Sequence, residues 1–137
     1  MSAAAVISAL LALLPVPAAR RACIVSHRGA IGRDAKTVSA RYGVPVSVLL
    51  AVGYLESHLG CAPRSGGCWG APISPRRRGT AGGPAHAAAA LAWGYRRCTT
   101  TLGAVSHFRC GRCVCPHLVG YQPADAVRLA ERIGGAS

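Results

Sequence analysis

Seven cysteines in a chain of 137 residues are the strongest constraint on what this sequence can become. They stand at Cys23, Cys61, Cys68, Cys98, Cys110, Cys113 and Cys115. A domain this small buries a modest core, and cross-links supply stability that such a core lacks. Behind an uncharged N-terminal stretch, cysteines at this density read as a disulfide framework formed in an oxidising compartment. Spacing leaves the pairing open. Cys61 with Cys68 closes an attractive local loop, which leaves Cys98 to pair within the Cys110, Cys113 and Cys115 cluster. The seventh thiol has no assigned role.

Residues 3–19 carry no charge, and their apolar run breaks at Pro15 and Pro17 before small residues and the pair Arg20-Arg21. That outline predicts a secretory signal peptide over 1–19 and a single domain over 20–137. No Lys or Arg precedes the apolar run, so the N-terminal amine alone supplies its positive charge. A membrane-spanning helix needs roughly 20 continuous apolar residues, and the two prolines oppose one here. The segment behind the leader carries all of the net charge of +12, its acids being Asp34, Glu56, Asp125 and Glu131. Such a balance favours an anionic partner, either nucleic acid or the bacterial cell wall with its acidic polymers.

Nothing reads as a sheet, and the fold class is all-α. A helix runs from Pro45 to Leu59, with Val48, Val52, Leu55 and Leu59 at helical spacing and Gly60 as its stop. A short helix over Asp34 to Arg41 precedes it. Residues 61–83 are rich in Gly, Pro and Arg and form a long loop. Pro84 opens the next helix, through Leu91, Trp93, Tyr95 and Cys98. A further helix carries Leu102, Val105 and Phe108 and stops at Gly111. Pro123 opens the last, with Val127, Ala130 and Ile133 facing inward.

Glu56 is the most informative residue. It lies within the arc of the apolar side chains of its helix, in the last turn, where the helix dipole disfavours an anion. Desolvation and the dipole both raise a carboxyl pKa. A carboxylic acid kept protonated near neutrality is what glycosidic-bond cleavage requires, because the departing sugar oxygen must receive a proton. The alternative is a salt bridge to one of the arginines, which would make Glu56 a structural residue.

The segments Tyr42-Gly43-Val44-Pro45, Leu49-Leu50-Ala51-Val52 and Leu55-Glu56-Ser57 resemble the catalytic helix of lytic transglycosylases with the lysozyme-like fold. Ser65-Gly66-Gly67-Cys68-Trp69-Gly70 is similar to that family's loop after the acid. Phe108-Arg109-Cys110-Gly111 stands where the family has tyrosine-asparagine-alanine-glycine, and Gly120-Tyr121 is similar to its closing tyrosine. The resemblance spans roughly residues 34–133. It implies a small lysozyme-like helical domain and cleavage of the bond between N-acetylmuramic acid and N-acetylglucosamine without water. One glutamate, here Glu56, would protonate the leaving oxygen. As carboxylate it would then help the muramic 6-hydroxyl attack its own anomeric carbon, giving a 1,6-anhydro sugar. Ser57, Trp69, Gly70, Phe108, Arg109 and Tyr121 would contact the glycan. The chain departs from the pattern in three places: residues 69–74 hold no glutamine, Arg109 replaces the asparagine, and Phe108 replaces a tyrosine.

A one-carboxylate mechanism suits so few acids, since Asp34 and Asp125 read as helix-start residues and Glu131 as a solvated face. Tyr54, Trp69, Tyr95 and Tyr121 are candidates to stack on sugars or to fill the core. Arg76-Arg77-Arg78 is either a dock for anionic wall polymer or a solvated loop. Ser57 either meets the acid or bonds its own backbone.

The implied partner is the peptidoglycan glycan strand, with no cofactor and no metal. No nucleic acid is expected, membrane contact comes only through an uncleaved leader, and the protein is expected to be an exported monomer. The remaining alternatives are a lysozyme-type hydrolase, a catalytically silent wall-binding protein, and a zinc-dependent nucleic-acid-binding module. The last would use Cys110, Cys113, Cys115 and His117 as tetrahedral ligands.

Overall fold

The structure, a computed structural model, describes residues 2–62, 69 and 82–136. Among these residues it is entirely helical, and seven helices follow one another in the chain: α1 Ala3–Ala12, α2 Ala18–Ser26, α3 Arg28–Tyr42, α4 Val46–Ser57, α5 Pro84–Cys98, α6 Thr101–Cys110 and α7 Pro123–Ala136. Of the three prolines read as helix openers, Pro84 and Pro123 occupy the first position of α5 and α7, where the missing N–H costs no hydrogen bond, while Pro45 stands one residue ahead of α4 as its N-cap.

Helix α4 is the axis of the molecule. It packs on α3, α5 and α7, while α5 and α6 form an antiparallel pair and α1 lies along α3. Every residue from Val48 to Tyr54 is buried, so α4 is apolar around its whole circumference and not along the one stripe that its spacing suggested. Full burial of Leu49, Leu50 and Val52 contributes roughly 1.5–3 kcal/mol each. The helix ends at Ser57, ahead of the expected glycine. His58 and Leu59 take left-handed conformations, and their N–H groups donate to the Tyr54 and Gly53 carbonyls, the hydrogen-bond pattern of a Schellman-type stop.

Gly53 sits where α4 meets the Trp69 ring, and a Cβ at that position would overlap the indole. Trp69 is 2% exposed, and its backbone N–H donates to the Gly82 carbonyl at 3.0 Å. The expected sugar-stacking ring is therefore part of the core.

Three further expectations need correction. Asp34 is not at a helix start, because α3 begins six residues earlier, at Arg28. In α7 the inward residues are Ala126, Leu129, Ala130 and Ile133, and Val127 is only half-buried. Cys61 pairs with Cys23, which ties α2 to the segment after α4, and not with Cys68. Cys68, Gly70 and Arg76-Arg77-Arg78 lie outside the described residues, as do residues 63–67. Cys98 does pair within the cluster, with Cys113, and Cys110 pairs with Cys115. Disulfides of this kind form and persist in oxidising compartments.

The segment read as a leader contributes α1 to the core, with Ile7 and Leu10 fully buried. A Cβ at Gly32 of α3 would overlap the Ala3 carbonyl, so glycine permits the close approach of the two helices. Arg21 donates to the Leu11 carbonyl at 3.2 Å, and Arg132 of α7 donates to the Leu13 carbonyl at 3.2 Å. Among the described residues no helix is long and apolar enough to cross a membrane.

Candidate active site

Glu56 projects from the last turn of α4 toward the turn that precedes α7. Its Oε1 accepts a hydrogen bond from the Tyr121 hydroxyl at 2.7 Å. The same oxygen faces Arg109 Nη1 at 3.8 Å, with the two side chains each 17% exposed. The Glu56 carboxylate thus meets two of the residues expected to contact the glycan, and the approach of Arg109 is the arginine pairing that the alternative reading of Glu56 had named. Among the described residues, Oε2 makes no hydrogen bond.

Arg109 is held firmly. Its Nη2 donates to the Val119 and Tyr121 carbonyls, both at 2.8 Å, and its guanidinium lies over the Tyr121 ring at 4.2 Å from the centroid. Its Nε is buried without a hydrogen-bond partner. One planar fork therefore fixes the turn, stacks on the phenol and faces the carboxylate, three tasks that a lysine ammonium cannot combine. Gln122 braces the same turn, its amide donating to the Leu118 carbonyl at 2.7 Å and its Oε1 accepting from Leu118 N at 3.1 Å. Asp125 accepts from Gln122 N at 2.8 Å and pairs with Arg128. It is thus a helix-start residue, as its sequence position indicated, with its charge engaged locally.

Among the described tyrosines, Tyr121 is the one whose surroundings act most strongly on its phenol. Burial pushes its pKa well above the ordinary tyrosine range, and the charge of Glu56 and the hydrogen bond to it push the same way, while Arg109 opposes them. Tyr121 is therefore a fixed neutral donor to Oε1 at any physiological pH.

The other expected contacts divide. Ser57 is buried, its hydroxyl lying 3.4 Å from the Gly53 carbonyl and accepting from Gly60 N at 2.9 Å. It closes the end of α4, as the backbone-bonding alternative had it. Phe108 is half-buried against the core. Tyr54 is buried and its pKa is raised, by burial first and against the charge of Arg21. The Tyr95 hydroxyl meets Thr101 Oγ1 at 2.9 Å, joining α5 to α6. Sequence reasoning passed over His58, whose left-handed position at the end of α4 sets its ring against Tyr54 at 5.0 Å between centroids. Its pKa is lowered, by burial and then by Arg20.

The zinc alternative loses its ligands, because Cys110, Cys113 and Cys115 are all spent in disulfides. Cavities lined by described residues lie elsewhere. One, of about 270 Å³, lies between α2, α3 and Trp69; another, of about 350 Å³, lies between α6 and the 113–117 segment. Glu56 lines neither, and the cleft expected between its helix and the 61–83 loop would involve residues outside those described. Comparison with protein-family models, with curated proteins and with solved structures returns no match.

Proposed function

We propose that this protein is an exported lytic transglycosylase with a lysozyme-like fold. It cleaves the N-acetylmuramic acid to N-acetylglucosamine β-1,4 bond of peptidoglycan and leaves 1,6-anhydro ends. The observation that carries this reading is the division of labour on one carboxylate. Oε1 of Glu56 is occupied by the Tyr121 hydroxyl and faced by Arg109, whereas Oε2 is left to meet substrate.

In the first step Oε2 delivers its proton to the departing sugar oxygen. The negative charge that develops on Glu56 then meets a preorganised donor at Oε1 and a guanidinium beside it, an arrangement that lowers the barrier without reorganisation. In the second step the same oxygen takes the proton of the muramic 6-hydroxyl as that hydroxyl attacks the anomeric carbon. No second carboxylate is called for, and none is at hand: Asp125 is engaged with Gln122 and Arg128, while Asp34 and Glu131 are exposed on α3 and α7. Phe108 and Gly70 remain candidates for contact with the glycan.

The Arg109 ion pair favours a second reading, a non-catalytic wall-binding protein in which Glu56 anchors the 119–121 turn. Mass spectrometry of peptidoglycan incubated with the protein and with Glu56→Gln separates the two. Anhydromuramic ends made by the first and not by the second are expected. Reducing ends would mean a lysozyme-type hydrolase, and intact glycan from both would leave the binding protein.

A further inference from the structure

Large apolar side chains left in solvent are concentrated in one part of this molecule. Of the five described ones, Trp93, Leu102, Val114 and Val119 all belong to the stretch from the middle of α5 to the turn before α7. Trp93 is 48% exposed, Val114 81% and Val119 98%. The covalent framework brings most of them together. Arg96 and Arg97 each place their guanidinium over the Trp93 ring at 5.3 Å from its centroid. Cys98, the next residue, is bonded to Cys113, the neighbour of Val114. Val114 and Leu102 then line one concavity with Pro116 and His117.

The charged side chains along this stretch of chain have a single sign, the nearest acid in sequence, Asp125, being paired with Arg128. Residues 93–119 contain Arg96, Arg97, Arg109 and Arg112 and no aspartate or glutamate. Arg109 is turned inward to the 119–121 turn, and the other three are exposed. An exposed tryptophan ringed by cations, beside aliphatic tips on a cross-linked loop, matches the two components of an anionic lipid surface. Aromatic rings settle at the headgroup level, short apolar tips gain by entering the acyl boundary, and arginines pair with lipid phosphates. A hydrated acidic glycan or a nucleic acid would use the ring and the arginines but would give Val114 and Val119 nothing to enter.

We propose that the edge formed by Trp93, Arg96, Arg97 and the 111–119 loop docks on an anionic bilayer, with Val114 and Val119 entering the interface and the three arginines meeting the headgroups. This is independent of the glycosidase reading and of any leader segment, since it uses only residues of α5, α6 and the loop.

The test is co-sedimentation of the full-length, oxidised protein with phosphatidylcholine vesicles and with vesicles that also contain phosphatidylglycerol. Retention by the anionic vesicles alone is expected, weakening as salt is added, with a blue shift of tryptophan emission. At about fivefold per cation at an anionic leaflet, Arg96→Gln with Arg97→Gln lowers the partition coefficient by about thirtyfold. Val114→Asp lowers it as well, with the thermal midpoint unchanged because that side chain is 81% exposed. Three results would each overturn the proposal: no preference for anionic vesicles, an equal loss from Arg28→Gln with Arg33→Gln on α3, or Trp93-dependent retention by peptidoglycan or single-stranded nucleic acid in place of vesicles.

Discussion

Replacing Tyr121 by phenylalanine tests the centre of the site without touching Glu56. The ring and its stacking with Arg109 are kept, and only the hydroxyl that donates to Oε1 at 2.7 Å is lost. A hydrogen bond to a charged group contributes roughly 1.5–3 kcal/mol. Because the Glu56 side chain keeps 17% exposure, water replaces part of that, and a loss of about 1–2 kcal/mol at pH 8 is expected.

The pH dependence is the sharper part. The folded phenol titrates above its unfolded value, so its contribution is fully present below about pH 10 and is lost as pH rises through the alkaline range. For an unfolded tyrosine near pKa 10, the loss reaches about 1.4 kcal/mol at pH 11. Phenylalanine has no proton to lose. The stability difference between the two proteins should therefore shrink from about 1–2 kcal/mol at pH 8 to near zero at pH 11. Guanidinium unfolding followed by circular dichroism, with disulfides intact and any free thiol blocked, measures both. If the two proteins lose stability in parallel above pH 10, the phenol is not held against Glu56 and the site as described is wrong.

Other perturbations address the frame around that contact. Arg109→Lys keeps the charge but cannot reproduce the two 2.8 Å bonds to the 119–121 turn. It should cost about 1–2 kcal/mol in denaturant unfolding and lower kcat more than KM in release of anhydromuramic ends. Replacing Cys23 and Cys61 together by serine opens a 38-residue separation and should cost about 3–4 kcal/mol on the chain-entropy account; an unchanged denaturation midpoint would argue against this pairing. A chain beginning at Arg20 loses Val6, Ile7, Leu10 and Leu11 from the core. It should be destabilised by several kcal/mol, a large part of what a small domain has, and equal midpoints for the two chains would mean that α1 adds nothing to the core.

Much of the local structure was legible before any coordinates. Prolines at helix starts, the left-handed Gly111 after α6, and the absence of alternating runs specify an all-helical chain, because those signals act within one or two turns. The carboxylate at the end of α4 stood out for the same reason: an isolated acid among apolar neighbours is visible in a window of ten residues. Its neighbours were named only through resemblance, as contacts for the glycan, and the 2.7 Å contact between Tyr121 and Glu56 depends on α7 packing against α4. Local pattern misplaced Trp69, since a glycine-rich neighbourhood says nothing of Gly53, the residue that gives the ring its place in the core. It misplaced the partner of Cys61 too, since the shortest loop is the favourable closure only when no helix brings another sulfur closer. The exposure of Trp93 beside two arginines follows from which face of α5 the neighbouring helices cover. Periodicity determines that a helix has faces; only packing decides which of them water sees.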